Sequence, residues 1–307
     1  MTTQPHIPVL RDKVVELLAP KAGETYFDGT AGYGGHAAAI IEIIGESGEA
    51  ILVDRDSEAV KSLQQKFANR VEIIHENYLE AAQDLKERGT QIDMVLLDLG
   101  VSSPQLDTPE RGFSFRTDGP LDMRMDAVGN LTAADIVNHY DEQRLANLIY
   151  KFGEERKSRR IAGAIVAARP LSSTKALADL IGKTIGYRED IHPATRTFQA
   201  LRIAVNSELE QLTSALPILV DILNVEGRLA VISFHSLEDR IVKEFINQES
   251  RDCICPSEQP ICVCDHVASL KKLTRKAVSG TEDAFNPRAR SAKLRAAVKI
   301  KNQKEPK

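Results

Sequence analysis

The chain has 307 residues, is 42% hydrophobic and 27% charged, and carries a formal net charge of −4. That is long enough to hold one large or two ordinary domains by burial alone, and the mild acidity argues against a partner recruited by overall charge. No run approaches the ~18 apolar residues of a membrane helix. Met1 to Pro8 has no basic stretch followed by an apolar core, so no signal peptide is expected and the cytoplasm is the expected compartment.

In chain order, Pro8 to Leu18 has helical spacing, with Val9, Leu10, Val14, Leu17 and Leu18 recurring on one face, and Pro20 and Gly23 end it. Strands and helices then alternate. Thr25 to Gly29, Ala50 to Val53, Val71 to Ile74 and Met94 to Leu99 read as strands. Gly34 to Ile44, Ser57 to Phe67 (capped by Asp56 or Ser57) and Leu79 to Arg88 read as the helices between them. Helical connections of this kind build a parallel sheet with right-handed crossovers. The next comparable strand is Arg228 to Ile232. Between them lie a loop and the helical patterns Ala133 to Phe152, Arg156 to Ala168, Lys175 to Ile185 and Thr197 to Leu223. The spacing predicts a helical domain at 107–205 inserted into an α/β domain of 1–106 and 206–307, with Leu294 to Ile300 as a closing edge strand.

The turn from Phe27 to His36 is rich in glycine, where the backbone must bend sharply and approach a ligand without a Cβ in the way. The free N–H groups of the following helix then face whatever binds. Gly32, Gly34 and Ala37 also satisfy the GxGxxG/A pattern, which keeps a dinucleotide site and an NAD-dependent dehydrogenase as a rival reading. Three acids shift the balance. Asp54 ends the second strand, where a carboxylate accepts both ribose hydroxyls. Asp28, at the end of the first, repels a pyrophosphate but suits a ligand carrying an ammonium and a sulfonium. Asp98 ends the fourth, at the edge where open α/β sheets bind ligands. The set favours S-adenosylmethionine.

These residues stand within strings that resemble the bacterial ribosomal RNA small subunit methyltransferase H family. They include Asp28-Gly29-Thr30 with Gly34-Gly35-His36, the run Leu96 to Asp107, Arg111-Gly112-Phe113-Ser114-Phe115, Gly119 to Met125, Thr195 to Arg202, Ser233 to Arg240 and Asn286 to Ser291. The similarity runs from His6 to about Lys299. It implies a class I, Rossmann-like methyltransferase with a mostly parallel sheet and an inserted helical domain. The implied reaction is N4-methylation of a cytidine in the decoding centre of 16S rRNA. It also implies cofactor contacts at Gly34, Gly35, His36, Asp54, Tyr78, Asp98 and Gln105, with Tyr78 standing where the family has Phe. The partner would be 16S rRNA or the small ribosomal subunit.

Methylating an exocyclic amine needs in-line approach of the nitrogen and a site that takes a proton during or after transfer. Ring C5 methylation would instead require a cysteine nucleophile, and no cysteine lies near the glycine turn. The Asn/Asp-Pro-Pro-aromatic turn of many amino-methyltransferases is absent, since Asp98 is followed by Leu99-Gly100-Val101-Ser102-Ser103-Pro104. Asp98 and His235, which follows the fifth strand, are the candidates for orienting or deprotonating the amine. Arg111, Phe113, Phe115 and Arg116 alternate cations with aromatics, as loops that hold unstacked bases do. From Val267 to Lys307 there are twelve Lys or Arg against three Asp or Glu. Arg288, Arg290, Lys293 and Arg295 are therefore expected to meet phosphate, which also keeps a non-catalytic RNA-binding protein as an alternative. The four cysteines, Cys253, Cys255, Cys262 and Cys264, form a CxC-x6-CxC run. The spacing departs from the CxxC of zinc knuckles, and the segment varies in the family resembled, so no metal is expected.

Overall fold

Alternating apolar runs and amphipathic segments build a layered α/β structure in the computed structural model, which describes residues 8–126, 129, 131–187, 191–256, 258, 259, 261–283 and 286–301. Residues 1–7, on which the leader expectation rests and which include His6, lie outside these. The strands are β1 (Thr25–Asp28), β2 (Glu49–Asp54), β3 (Glu72–His75), β4 (Ile92–Asp98), β5 (Leu223–Ser233), β6 (Leu270–Lys272), β7 (Val278–Ser279) and β8 (Lys293–Lys299). Among the described residues they form one sheet in the order β3-β2-β1-β4-β5-β8-β6, with β7 paired to β8 off this path. The pairs β3–β2, β2–β1, β1–β4 and β4–β5 are parallel, and β8 is antiparallel to its neighbours.

The chain forms two compact units, Met1–Gly100 with Leu209–Lys307, and Val101–Glu208. The first holds the sheet. Because side chains alternate along each strand, Phe27, Val95, Leu97, Leu229 and Val231 face one side, where α4 (Tyr78–Glu87), α11 (Glu208–Ile222) and α12 (Ser236–Glu249) bury Leu85, Leu216 and Val242 on them. Tyr26, Leu52, Met94, Leu96 and Ile232 face the other, under Leu18 of α1 (Arg11–Leu18), Ile40 of α2 (Gly35–Ile44) and Leu63 of α3 (Ser57–Phe67). Each such side chain contributes about 1.5–3 kcal/mol on leaving water. Asp56 caps α3 by accepting from the Glu58 N–H.

The amino end of β5 is tied down by charge. Arg228 donates through Nε to the Leu18 carbonyl at 2.7 Å and through Nη1 and Nη2 to the Glu24 carboxylate at 2.8 and 2.6 Å. Burial pushes the Glu24 carboxyl up, but Arg228 and the Lys21 N–H together outweigh it and leave the group below the usual carboxylate range.

The second unit comprises α5 (Ser103–Asp107), α6 (Ala133–His139), α7 (Glu142–Gly153), α8 (Ser158–Ala167), α9 (Thr174–Ile185) and α10 (Thr195–Asn206) around a core that includes Ile136, Leu145, Ile149, Ile161, Leu177 and Leu201. Asn206 clamps its entry loop, accepting from the Met125 N–H and donating to the Met123 carbonyl, both at 2.8 Å.

Three expectations change. The helix read over 133–152 is two, because Asp141 caps a new one by accepting from the Arg144 N–H. The helix read over 197–223 is also two, broken at Ser207, whose φ is 50°. The closing strand is not an edge, since β8 lies between β5 and β6. No helix among the described residues is long and apolar enough to cross a membrane.

Candidate functional site

The strands β2, β1 and β4 lie side by side and in parallel, so their carboxyl ends present Asp54, Asp28 and Asp98 along one edge. The turn from β1 to α2 passes over this edge and is fastened to both neighbours. The Gly32 N–H donates to Asp54 Oδ2 at 2.7 Å, and the Asp98 N–H donates to Thr30 Oγ1 at 2.6 Å. Gly34 precedes α2 with a φ of 70°, and a Cβ there would stand 2.5 Å from Cε2 of Phe67. A Cβ on Gly35 would stand 2.6 Å from Cγ of Pro8. Gly34 is required by backbone handedness and close packing together, and Gly35 by close packing alone. Lys66 reaches the same turn from α3, its Nζ donating to the Gly34 carbonyl at 2.7 Å.

Asp28 is 1% exposed. Its Oδ2 accepts from the Tyr26 hydroxyl at 2.8 Å and its Oδ1 from the Thr30 N–H at 3.2 Å. Burial nonetheless pushes its carboxyl up to about 6, with His36 and these donors pulling the other way. Burial and the Asp28 charge hold the Tyr26 hydroxyl well above its usual value, so it remains a donor. Asp54 is likewise pushed up to about 6 by burial, against the pull of the Asp56 and Gly32 N–H groups it accepts. Its two oxygens spend one lone pair each on those bonds, so acceptor capacity remains.

His36, in the first turn of α2, is 7% exposed, with Nε2 3.6 Å from Asp98 Oδ2. Both His36 ring nitrogens and Asp98 Oδ1 are buried without a hydrogen-bond partner. Unpaired buried polar atoms cost about 1–3 kcal/mol each, and here they converge on the edge where an α/β sheet takes its ligand. Tyr78 opens α4, set by Asn77, whose side chain accepts from the Leu79 and Glu80 N–H groups.

Gln105 belongs to the second unit, and its side-chain oxygen accepts from the Ser102 N–H in the capping box of α5. His235 is the N-cap of α12, not an exposed base. Its Nδ1 accepts from the Glu238 N–H at 3.4 Å, and its buried Nε2, 3.1 Å from Glu238 Oε1, has no hydrogen-bond partner. Phe113 is 8% exposed in the second unit's core, which leaves no face for a base to stack on. Arg111 lies 5.8 Å above that ring and donates to the Arg124 and Met125 carbonyls, organising the loop from within. Arg116 is exposed.

In the basic segment, Arg295 is 15% exposed and donates through Nε to Asp239 at 2.7 Å, and Lys293 reaches the same carboxylate at 3.2 Å. Burial raises the Asp239 carboxyl, and the two cations overcome this and hold it below its usual range. Arg295 is thus a structural ion pair and is withdrawn as a phosphate contact. Arg290 is exposed; Arg288 lies in the 3-10 helix Pro287–Ser291, and its side chain lies outside the described residues.

The four thiols converge despite their CxC spacing. The Sγ atoms of Cys253, Cys255, Cys262 and Cys264 all lie within 4.8 Å of one another, because the two CxC arms meet across their segment. Nothing local announced the roles of Tyr26 and Lys66 or the Thr30 hydroxyl bond, whose partners are set by the sheet order and by a helix packed on the turn.

The chain matches the model of the MraW methylase family over residues 3–300. It is 48% identical over 308 residues to a protein of Heliobacterium mobile named ribosomal RNA small subunit methyltransferase H, covering 96% of this chain and 99% of that relative. A protein of the same name from Geobacter sp. (strain M21) is 50% identical over 307 residues, covering 96% and 98%. Among solved structures, an rRNA methylase from Streptococcus thermophilus aligns with 98% of this chain and 99% of its own, at a TM-score of 0.43 and 11% identity.

Proposed function

Since the chain belongs to the MraW methylase family, we propose that it uses S-adenosylmethionine to methylate N4 of a cytidine in the decoding centre of 16S rRNA. The observation that carries this reading is the row of carboxylates Asp54, Asp28 and Asp98 beside Asp98 Oδ1 and the His36 ring nitrogens, which have no hydrogen-bond partner. This donor set fits the cofactor. Asp54 holds the ribose hydroxyls, Asp28 offsets the positive groups of the methionine portion, and Gly34, Gly35 and His36 line the approach. Tyr78 supplies an aromatic face for adenine. A dinucleotide fits poorly, because a pyrophosphate would meet the buried Asp28 carboxylate.

The cofactor supplies an activated methyl group, so the protein's own work is orientation and proton transfer. Asp98 Oδ1, which has no hydrogen-bond partner, is the group that accepts hydrogen from the incoming amine in this reading. No described cysteine neighbours it, which favours amine over ring-carbon methylation. The name shared by the relatives supports small-subunit rRNA as substrate. The inserted region 107–205 serves substrate recognition through Arg116, and Arg290 and Lys293 are phosphate contacts of the unit that holds the sheet. Mass spectrometry of nucleosides from 16S rRNA of cells with and without the protein tests the proposal. N4-methylated cytidine present in both would refute it.

A further inference from the structure

The segment that joins α12 to β6 carries all four cysteines. Because α12 starts at the carboxyl end of β5 and runs back, this segment hangs from the amino edge of the sheet, opposite the strand-end acids. Its ends are fastened: the Ser269 N–H donates to the Glu249 carbonyl at 2.9 Å, and the Ile300 N–H to the Ser269 carbonyl at 2.8 Å. Between them the described residues form neither helix nor strand, and apolar burial does not hold them. Ile254, Ile261 and Val263 are 42%, 73% and 68% exposed.

The sulfurs converge all the same. Cys262 and Cys264 Sγ are 3.6 Å apart, and Cys264 and Cys253 Sγ are 3.8 Å apart. A disulfide requires about 2.0 Å, so these are not bonded pairs. Four thiolates placed tetrahedrally about 2.3 Å from a zinc ion have edges of about 3.8 Å. The observed spacings match that figure. The Ile254 N–H donates to Cys264 Sγ at 3.4 Å, as backbone donors do around coordinated thiolates. An all-sulfur set selects a soft or borderline cation over magnesium or calcium.

We propose that Cys253, Cys255, Cys262 and Cys264 form a structural tetrathiolate zinc site that clips the α12–β6 segment together. Binding replaces four S–H bonds with four Zn–S bonds and releases the protons to solvent, with no change of oxidation state. The site is closed, with no ligand position left for catalysis, and it lies at the edge remote from the acids.

The test uses the full-length chain purified without chelator. Elemental mass spectrometry should find stoichiometric zinc, and the cobalt-exchanged protein should show the intense visible bands of a tetrahedral thiolate site. A Cys253→Ser, Cys264→Ser variant should lose the metal while keeping its affinity for S-adenosylmethionine, which confirms that the fold survives. Wild-type protein with four titratable thiols and no metal overturns the proposal, as does iron in place of zinc or zinc retained in the double variant. If that variant does not fold, the wild-type cobalt spectrum decides, and absence of sulfur-to-cobalt charge transfer overturns the proposal.

Discussion

Burying Asp28 as an anion is costly, and replacing it with Asn measures that cost. Its carboxyl is raised from 3.8 to about 6, which corresponds to about 3 kcal/mol of destabilisation of the ionised folded state. The sign follows from proton uptake. Between pH ~4 and ~6 the folded protein binds the proton that the unfolded chain has released, so stability falls as pH rises through this window. The cost is fully present above it. Asp28→Asn removes the charge but keeps one acceptor oxygen. Tyr26 can turn its hydroxyl to accept, and a lost bond to the Thr30 N–H costs about 1–3 kcal/mol. The variant should therefore be at least as stable as wild type at neutral pH. Across the window, the stability difference between the two proteins should change by about 3 kcal/mol. Urea unfolding over a pH series gives that difference directly, and groups common to both chains, Asp54 included, cancel. A flat difference would refute the burial argument. The same variant should bind S-adenosylmethionine less tightly, so the site gives up stability to hold a cationic ligand.

Asp54→Ala should weaken S-adenosylmethionine binding about 10- to 150-fold, the equivalent of 1.5–3 kcal/mol for a charge-assisted acceptor; calorimetry reads it, and unchanged affinity removes Asp54 from the pocket. Arg290→Gln should lower the log–log salt slope of RNA binding by about 0.7–0.9. Arg295→Gln should leave that slope intact and instead lower the denaturation midpoint, because its charge is committed to Asp239. Phe113→Ala should cost about 3–5 kcal/mol of stability, as truncation of a buried aromatic does; a wild-type unfolding midpoint with lost methylation would restore it as a stacking residue.

The sheet and its ligand edge were legible because β1, β2 and β4 are near-continuous apolar runs that each end in an acid. Where the reading went wrong, the deciding partner was distant in sequence. Asp239 neutralises Arg295 from 56 residues away, and nothing local to Arg295 announces it. The cap role of His235 was not legible because helix caps are normally Ser, Thr, Asp or Asn. The breaks at Asp141 and Ser207 were invisible to periodicity, since the apolar stripe continues in phase across each. β6, of sequence Leu-Lys-Lys, is too short and too charged to stand out from a loop. β5 begins at Leu223, five residues before the strand read from sequence, because a bulge with Glu226 at a φ of 68° looks like a turn.

The place of β8 bears on how the protein is made. Translation delivers β5 and β6 first, yet they do not pair with each other, and the slot between them is filled by residues 293–299. A nascent chain that has emerged through β6 therefore displays the free edge of β5, whose Arg228 to Ser233 groups await partners on β8. β8 completes the edge of β5 and gives β6 its strand partner among the described residues. Until it arrives, that open ladder is the surface on which a growing chain is most prone to capture a strand from another molecule.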